Sequence, residues 1–380
     1  MKKSLVLSTA LMLLSMSAMA QKAPKANFQL KAEMQNFSND TVLVYKGRGV
    51  KMDTLLMKNN KLTYATYLEN PVKYYFMTPA SYRGKENKVI YLLCVPNEKA
   101  ELKGDLNSRY DVTGSKYYQQ YHELDLLTEA ISKDLNDYEK SISEKIKNGG
   151  DREALMKEYD EKVPAMEKAK NEKLFDFAAK HPDDEASVAI IENLSALEDM
   201  ERLIGLLSES VKNGRMKAYY QPIIDQTKKR KEKEEKAKKV QAAGVDAPDF
   251  TLKDIKGNDF SLSSLRGKYV VLDFWGSWCI WCIKGMPQMK EYYNKYAGKF
   301  EILGVDCNDT EAKWKAAVEK HQLPWLHVYN PRGSEVLDKY AIQGFPTKII
   351  VGPNGKIVKT IVGEDPAFYT FLDELFGKKN

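Results

Sequence analysis

Two of the chain's four cysteines, Cys279 and Cys282, form a Cys-x-x-Cys pair; Cys94 and Cys307 stand alone. The pair follows the apolar run Val270–Trp275 and opens a helical pattern that continues to Tyr296. That placement suits thiol–disulfide exchange. A thiol attacks a disulfide as the thiolate, and a free cysteine, with a pKa of about 8.5, is poorly ionised at neutral pH. In a Cys-x-x-Cys pair at a helix N-terminus the value falls to about 7 or below. Unpaired backbone N–H groups and the helix dipole stabilise the anion there. The i, i+3 spacing puts the second sulfur on the same helix face, within disulfide reach. Cys279, at the exposed helix end, is expected to attack, and the more buried Cys282 to resolve the mixed disulfide.

Other uses of the pair fit less well. A zinc site needs two more cysteines or histidines at ligand spacing. Cys94 and Cys307 are isolated, and His122, His181, His321 and His327 show no ligand pairing. A purely structural disulfide would close too small a loop to stabilise much. No metal and no other cofactor is expected. A peroxidase would need a Thr-x-x-Cys loop, where this chain has Gly276-Ser277-Trp278-Cys279.

The elements that must hold the pair are legible from their periods. Val270–Trp275 reads as a central strand buried on both faces, with Asp273 its one exception. Phe300–Val305 reads as a second buried strand, Thr310–Lys320 as a helix and Trp325–Tyr329 as a short extended segment. Lys348–Val351 and Lys356–Ile361 flank Gly352-Pro353-Asn354-Gly355, a hairpin signature. Asp365–Phe376 closes as a helix. The plan is α/β: a βαβ unit, then a hairpin and a helix.

Upstream the pattern differs. Phe28, Leu30, Ala32 and Met34 alternate with polar residues, as do Leu62, Tyr64, Thr66 and Leu68, the period of half-buried strands. Thr41–Tyr45, Val72–Met77 and Val89–Val95 are short β-branched and aromatic runs. Residues 21–115 therefore read as a small antiparallel β domain. From 116 to 242 the period becomes helical, with one apolar stripe through Tyr117, Tyr121, Leu124, Leu127 and Ile131, and another from Ile190 to Val211. The charged run Lys228–Lys239 reads as an exposed helix, with glutamates four residues before lysines. The expected architecture is multi-domain: signal peptide 1–20, β domain 21–115, α-helical region 116–242, and α/β domain 243–380.

The signal peptide is read from Lys2 and Lys3, the apolar stretch Leu5–Met16, and the small residues of Ala18-Met19-Ala20 before Gln21. The mature protein is expected to be exported to the periplasm or cell envelope. The formal net charge of +6 is spread along the chain without an aromatic-interleaved basic patch, so no nucleic-acid partner is expected.

Val271-Leu272-Asp273-Phe274-Trp275-Gly276-Ser277-Trp278-Cys279-Ile280-Trp281-Cys282 resembles the active-site stretch of the thioredoxin superfamily, and Gly344-Phe345-Pro346-Thr347 is similar to its cis-proline loop. Ala247-Pro248-Asp249-Phe250, Gly257 and Leu265-Arg266-Gly267-Lys268 resemble the leading segment of TlpA/ResA-type envelope proteins. Gly114-Ser115-Lys116 and Lys180-His181-Pro182 resemble the uncharacterised module that precedes such domains, more loosely. The resemblance implies a thioredoxin-like fold and an exported thiol–disulfide oxidoreductase. It implies that Asp273 is the buried acid beneath Cys282. Desolvation should raise its pKa and suit it to accept the Cys282 proton. It implies a cis Pro346 facing the sulfurs, and Trp278, Phe345, Ile280 and Trp281 bordering the substrate. The expected partners are protein disulfide substrates and a membrane electron donor of thiol type. Gly285 stands where ResA-type proteins carry a glutamate, which sets this chain apart from specialised cytochrome c maturation. The Ile280-Trp281 dipeptide lacks a basic residue, which argues for a reducing to intermediate pair. The alternative is a client-binding or scaffold protein whose β-rich and helical modules carry the main role.

Overall fold

In the computed structural model the described residues are 24–38 and 40–377; the expected signal peptide, 1–20, lies outside them. The chain divides into two units between Asp225 and Gln226.

In the first unit, β1 (Phe28–Gln35) alternates buried and exposed residues along its whole length. It is central to a sheet ordered β4 (Lys61–Thr66), β1, β7 (Lys99–Asp105), β8 (Tyr110–Gly114). A second sheet is ordered β3 (Asp53–Leu56), β2 (Thr41–Tyr45), β5 (Val72–Met77), β6 (Val89–Cys94). A single-turn helix, α1 (Pro79–Tyr82), lies between β5 and β6 and is capped by Thr78. The expectation of a purely antiparallel β domain is corrected at one pair: β1 and β7 run parallel, with Leu30 opposite Ala100. Alternation specifies which face of a strand is buried and says nothing of its neighbour's direction. The chain between β1 and β7 builds the whole second sheet and returns with the same polarity.

The helices of this unit share its hydrophobic core. Tyr117 and Tyr118, in the first turn of α2 (Lys116–Lys147), are buried in the same cluster as Phe28, Phe76 and Leu92. The Tyr118 hydroxyl donates to the Leu93 carbonyl at 2.7 Å. The change of period near residue 116 thus marks a change of secondary structure inside one unit. Next comes α3 (Arg152–Lys180), capped by Asp151, whose carboxylate accepts from the N–H groups of Glu153 and Ala154. The stripe from Ile190 to Val211 is not one helix. It divides into a 3₁₀ stretch (Glu185–Asn193), α4 (Leu197–Leu206) and α5 (Glu209–Lys212). Ala186 to Ile191 are buried on every side, so the stretch is a core segment and not an amphipathic helix. The last helix, α6 (Lys217–Val240), begins in the first unit and ends in the second. Its charged part is largely exposed.

The second unit is built on a seven-stranded sheet ordered β10 (Asp259–Ser261), β9 (Thr251–Asp254), β13 (Leu326–Asn330), β12 (Phe300–Cys307), β11 (Tyr269–Trp275), β14 (Thr347–Val351), β15 (Ile357–Val362). Strand β11 is buried from Val270 to Trp275, parallel to β12 and antiparallel to β14. The βαβ unit is closed by α7 (Ile280–Lys295). The helix α8 (Glu311–Lys320) follows β12, α9 (Val336–Lys339) follows β13, and α10 (Ala367–Phe376) follows the β14–β15 hairpin. Val271 and Trp275 pack with Met286, Met289, Phe368 and Leu372 on one face of the sheet. Leu272 and Phe274 pack with Phe250, Leu262, Tyr340 and Ile349 on the other. Period-two alternation therefore puts Asp273 on the face covered by α7 and α10.

Because the two sheets and α2 share one core, a fragment of residues 24–115 lacks the side chains that cover it. It is expected to show the narrow amide dispersion of an unfolded chain in an ¹⁵N–¹H spectrum, whereas residues 24–225 give dispersed peaks. A well-dispersed spectrum from the shorter fragment would contradict the shared core.

Candidate active site

Strand β11 ends at Trp275, and the chain turns through Gly276 and Ser277 to place Cys279 at the N-cap of α7. Cys279 and Cys282 are joined in a disulfide. The Cys282 backbone N–H points at Cys279 Sγ at 3.1 Å. This is one of the N–H groups that a helix start leaves without a helical partner, and it serves the sulfur that would carry the thiolate. Both cysteines are nearly covered, at 6% and 4% exposure. Exposure therefore does not distinguish the two sulfurs, in contrast to the expectation of an exposed Cys279 and a more buried Cys282; Cys279 caps the helix and Cys282 lies one turn in.

The turn is held from behind. The Ser277 N–H donates to Asp309 Oδ2 at 2.6 Å, and the Ser277 hydroxyl to Asp309 Oδ1 at 2.8 Å. Trp278 Nε1–H donates to the Cys307 carbonyl at 3.0 Å. A Cβ at Gly276 would overlap both the Trp278 ring and that carbonyl, so only glycine permits the indole to cross there. Below Asp309, burial and then the Asp309 carboxylate push the fully buried Asp306 up to about 9. Cys307 and Cys94 are free and buried, and burial pushes both thiols up.

The structure brings Trp278 against Phe345, with ring centroids 5.2 Å apart and edge to face. Phe345 precedes Pro346, and the peptide bond between them is cis. Trp278, Ile280 and Trp281 form an exposed apolar rim around the covered sulfurs, at 49%, 66% and 62% exposure. Lys284 Nζ sits 4.6 Å from the Trp281 ring centroid. The motif lacks a basic residue, but the next turn of the helix brings one beside it.

Asp273 lies in register between Gly304 on β12 and Lys348 on β14. Burial pushes its carboxyl up to about 6, with Lys348 pulling down and Glu364 pushing up. Its Oδ1 has no hydrogen-bond partner. Lys348 is itself 1% exposed, and its Nζ pairs with Glu364 Oε2 at 2.7 Å. The Tyr369 hydroxyl donates to Glu364 Oε1 at 2.8 Å. Sequence reading missed Lys348, Glu364 and Tyr369. The available signal was Lys348 itself, a lone charge opening the otherwise apolar run Lys348–Val351, as Asp273 is in its own strand. Among the described residues no cluster of His, Cys, Asp and Glu is arranged to hold a metal ion.

Residues 243–360 match the AhpC/TSA family. Over 122 residues, 32% of this chain and 70% of the relative, the sequence is 38% identical to the thiol-disulfide oxidoreductase ResA of Bacillus cereus (strain ZK / E33L). The ResA of Geobacillus thermodenitrificans (strain NG80-2) is 37% identical over 123 residues, with the same coverage. This chain belongs to the ResA-type thiol–disulfide oxidoreductases. It is an oxidoreductase whose α/β domain is thioredoxin-like. Among solved structures, the thioredoxin domain of a thiol-disulfide oxidoreductase from Bacteroides vulgatus is 37% identical; the match covers 36% of this chain and 98% of that one, with a TM-score of 0.34. The ResA match takes in about a third of the chain, and the AhpC/TSA match over residues 243–360 contains the Cys-x-x-Cys pair.

The raised pKa of Asp273 has a consequence for stability. The folded protein holds this proton more tightly than the unfolded chain does, so the ionised form costs folding free energy. The cost is absent below about pH 4 and complete above about pH 6. A rise from 3.8 to about 6 corresponds to about 3 kcal/mol. Asp273→Asn should therefore stabilise the oxidised protein at pH 7.5 by up to about 3 kcal/mol, with the gain fading as the pH falls to 4. Urea unfolding across that range reads it. A variant less stable than the parent at pH 7.5 would contradict the assignment.

Proposed function

We propose that this ResA-type enzyme is exported to the cell envelope and reduces or isomerises disulfides of envelope proteins through the Cys279/Cys282 dithiol. The observation that carries the reading is the disulfide at the N-terminus of α7, ringed by the exposed side chains of Trp278, Ile280 and Trp281. An apolar rim over a reactive sulfur gives an extended, partly unfolded client somewhere to lie. No helix among the described residues is long and apolar enough to cross a membrane.

In the proposed reaction the Cys279 thiolate attacks one sulfur of a client disulfide. A Cys279–client bond forms, the client S–S bond breaks, and the other client sulfur leaves as a thiolate. Asp273 then takes the proton of Cys282, and the Cys282 thiolate attacks Cys279 Sγ. The second client sulfur leaves, the client has gained two electrons, and the enzyme holds the Cys279–Cys282 disulfide. Pro346 has no N–H, so the chain beside the pair keeps its carbonyls but lacks one competing donor. Phe345 and Trp278 would border the bound chain. In an oxidising compartment the dithiol must be restored by a thiol-type donor, for which we propose a membrane protein.

Reduction of insulin by dithiothreitol-charged protein tests the chemistry. Cys279→Ala and Cys282→Ala should each abolish the catalysed rate; a rate unchanged in both would defeat the reading. Equilibration with glutathione should place the pair between about −180 and −270 mV. A value near the roughly −120 mV of DsbA would mark it instead as a strong oxidant. Cys282→Ser should accumulate mixed disulfides with clients in the native envelope.

A further inference from the structure

The face of β11 beneath the disulfide holds more charge than one proton acceptor needs. Lys348 lies directly opposite Asp273 in the β11–β14 register, yet its ammonium pairs with Glu364. Glu364 comes from the turn between β15 and α10, and its carboxylate is fully engaged. Lys348 holds Oε2 at 2.7 Å and the Tyr369 hydroxyl holds Oε1 at 2.8 Å. The same hydroxyl lies 3.3 Å from the Gly285 carbonyl of α7. Asp273 Oδ1, by contrast, has no partner. One buried cation thus sits between two carboxyl groups and bonds to one.

Gly285 explains how Glu364 reaches this place. It is three residues after Cys282, on the same face of α7. A Cβ there would overlap the Glu364 carboxyl group. The missing side chain on the helix is the space that the carboxylate fills. The position is therefore a seat for a negative charge one turn below Cys282, supplied from another element of the fold. The groups that act on Asp273 are then Lys348 from β14, Glu364 from the β15–α10 turn, Tyr369 from α10 and the Cys307 thiol from β12. The face of α7 turned toward this region carries Cys282 and Gly285.

We propose that Glu364 and Lys348 are positioning residues for thiol–disulfide exchange: Glu364, seated in the space left by Gly285, draws the Lys348 ammonium away from Asp273 and so keeps Asp273 able to take the proton of Cys282. This rests on the proton-accepting role proposed for Asp273. With Glu364 neutral, Asp273 loses a neighbouring negative charge and gains the free ammonium. Both changes favour its ionised form and make it a weaker base. With Lys348 removed, Asp273 loses its only cationic neighbour in the register and holds its proton more tightly. The two substitutions act in opposite directions, which a simple loss of packing does not do.

The test reads Asp273 directly. Carboxyl ¹³C shifts of oxidised, aspartate-labelled protein are followed from pH 4 to 9, with the Asp273 signal assigned by its loss in Asp273→Asn. The expected result is a midpoint about one pH unit lower in Glu364→Gln and higher in Lys348→Met. Gly285→Ala, which forces the Glu364 carboxylate aside, should lower the midpoint as Glu364→Gln does. It provides the same readout if the buried Lys348→Met variant does not fold. In Gly285→Glu combined with Glu364→Ala, a carboxylate returns to the same volume from α7, and the parental midpoint should return with it. A midpoint unmoved in Glu364→Gln and Gly285→Ala, or moved the same way by Glu364→Gln and Lys348→Met, would overturn the proposal. The titration needs no turnover. An inactive parent in the insulin assay would count against the proposed function, whereas an unmoved midpoint in an active enzyme counts against this inference alone.

Discussion

Asp273 is buried, at 5% exposure, and Lys348, the cation opposite it on β14, is bonded elsewhere. A carboxylate in that position is held only because the surrounding sheet and helices cannot rearrange to expose it, and its ionisation is costly. Much of the second unit follows from that condition. The strand must be central, so that both faces are covered. The cover on the Asp273 face must include α7, because that helix carries the sulfurs. It must also include α10 and the turn before it, because the turn brings Glu364 to the buried lysine and α10 brings the Tyr369 hydroxyl to Glu364. Helix α7, the hairpin and the last helix thus meet at one buried ionic cluster, behind the disulfide.

The turn between β11 and α7 has the complementary task of holding Cys279 still while its surroundings face solvent. It does so through buried polar groups at the end of the adjacent strand β12 and just beyond it. Asp309 takes both the N–H and the hydroxyl of Ser277, and the Cys307 carbonyl takes the Trp278 indole. Asp306, kept protonated by burial and by Asp309, avoids adding a second buried negative charge there. The rim residues Ile280 and Trp281 extend from the first turn of α7 into solvent. Rigid support behind an exposed apolar rim is the arrangement expected of a site that admits many extended chains and positions only the exchanging sulfurs.

Legibility from the sequence followed the range of each interaction. From β11 to α10 the elements read from the sequence appear at the expected places to within about two residues, whereas the short edge strands β9 and β10 and the one-turn helix α9, which lack a sustained apolar run or period, were not read. The hairpin at Gly352–Gly355 was marked by its own turn residues. In the first unit, alternation identified the faces of β1 and β4 but not the parallel pairing of β1 with β7. The apolar stripe from Ile190 to Val211 fitted a helix while belonging to three separate segments. Periodicity is a local signal, and direction and breaks depend on what the chain packs against.

The sequence by itself determined the Cys-x-x-Cys pair, its place at a helix start, and the unusual aspartate in a buried strand. Each of these is written within a dozen consecutive residues, where spacing and polarity suffice. Tertiary structure alone decided what faces that aspartate. Lys348 and Glu364 lie 75 and 91 positions beyond Asp273, and no local pattern joins them. Strand register sets the lysine opposite the acid, and the absence of a side chain at Gly285 admits the glutamate. Read along the chain, Gly285 is a missing carboxylate; in the folded protein it is the opening through which another one enters. Electrostatic partners in a low-dielectric interior are chosen by distance in space, and only the fold sets that distance.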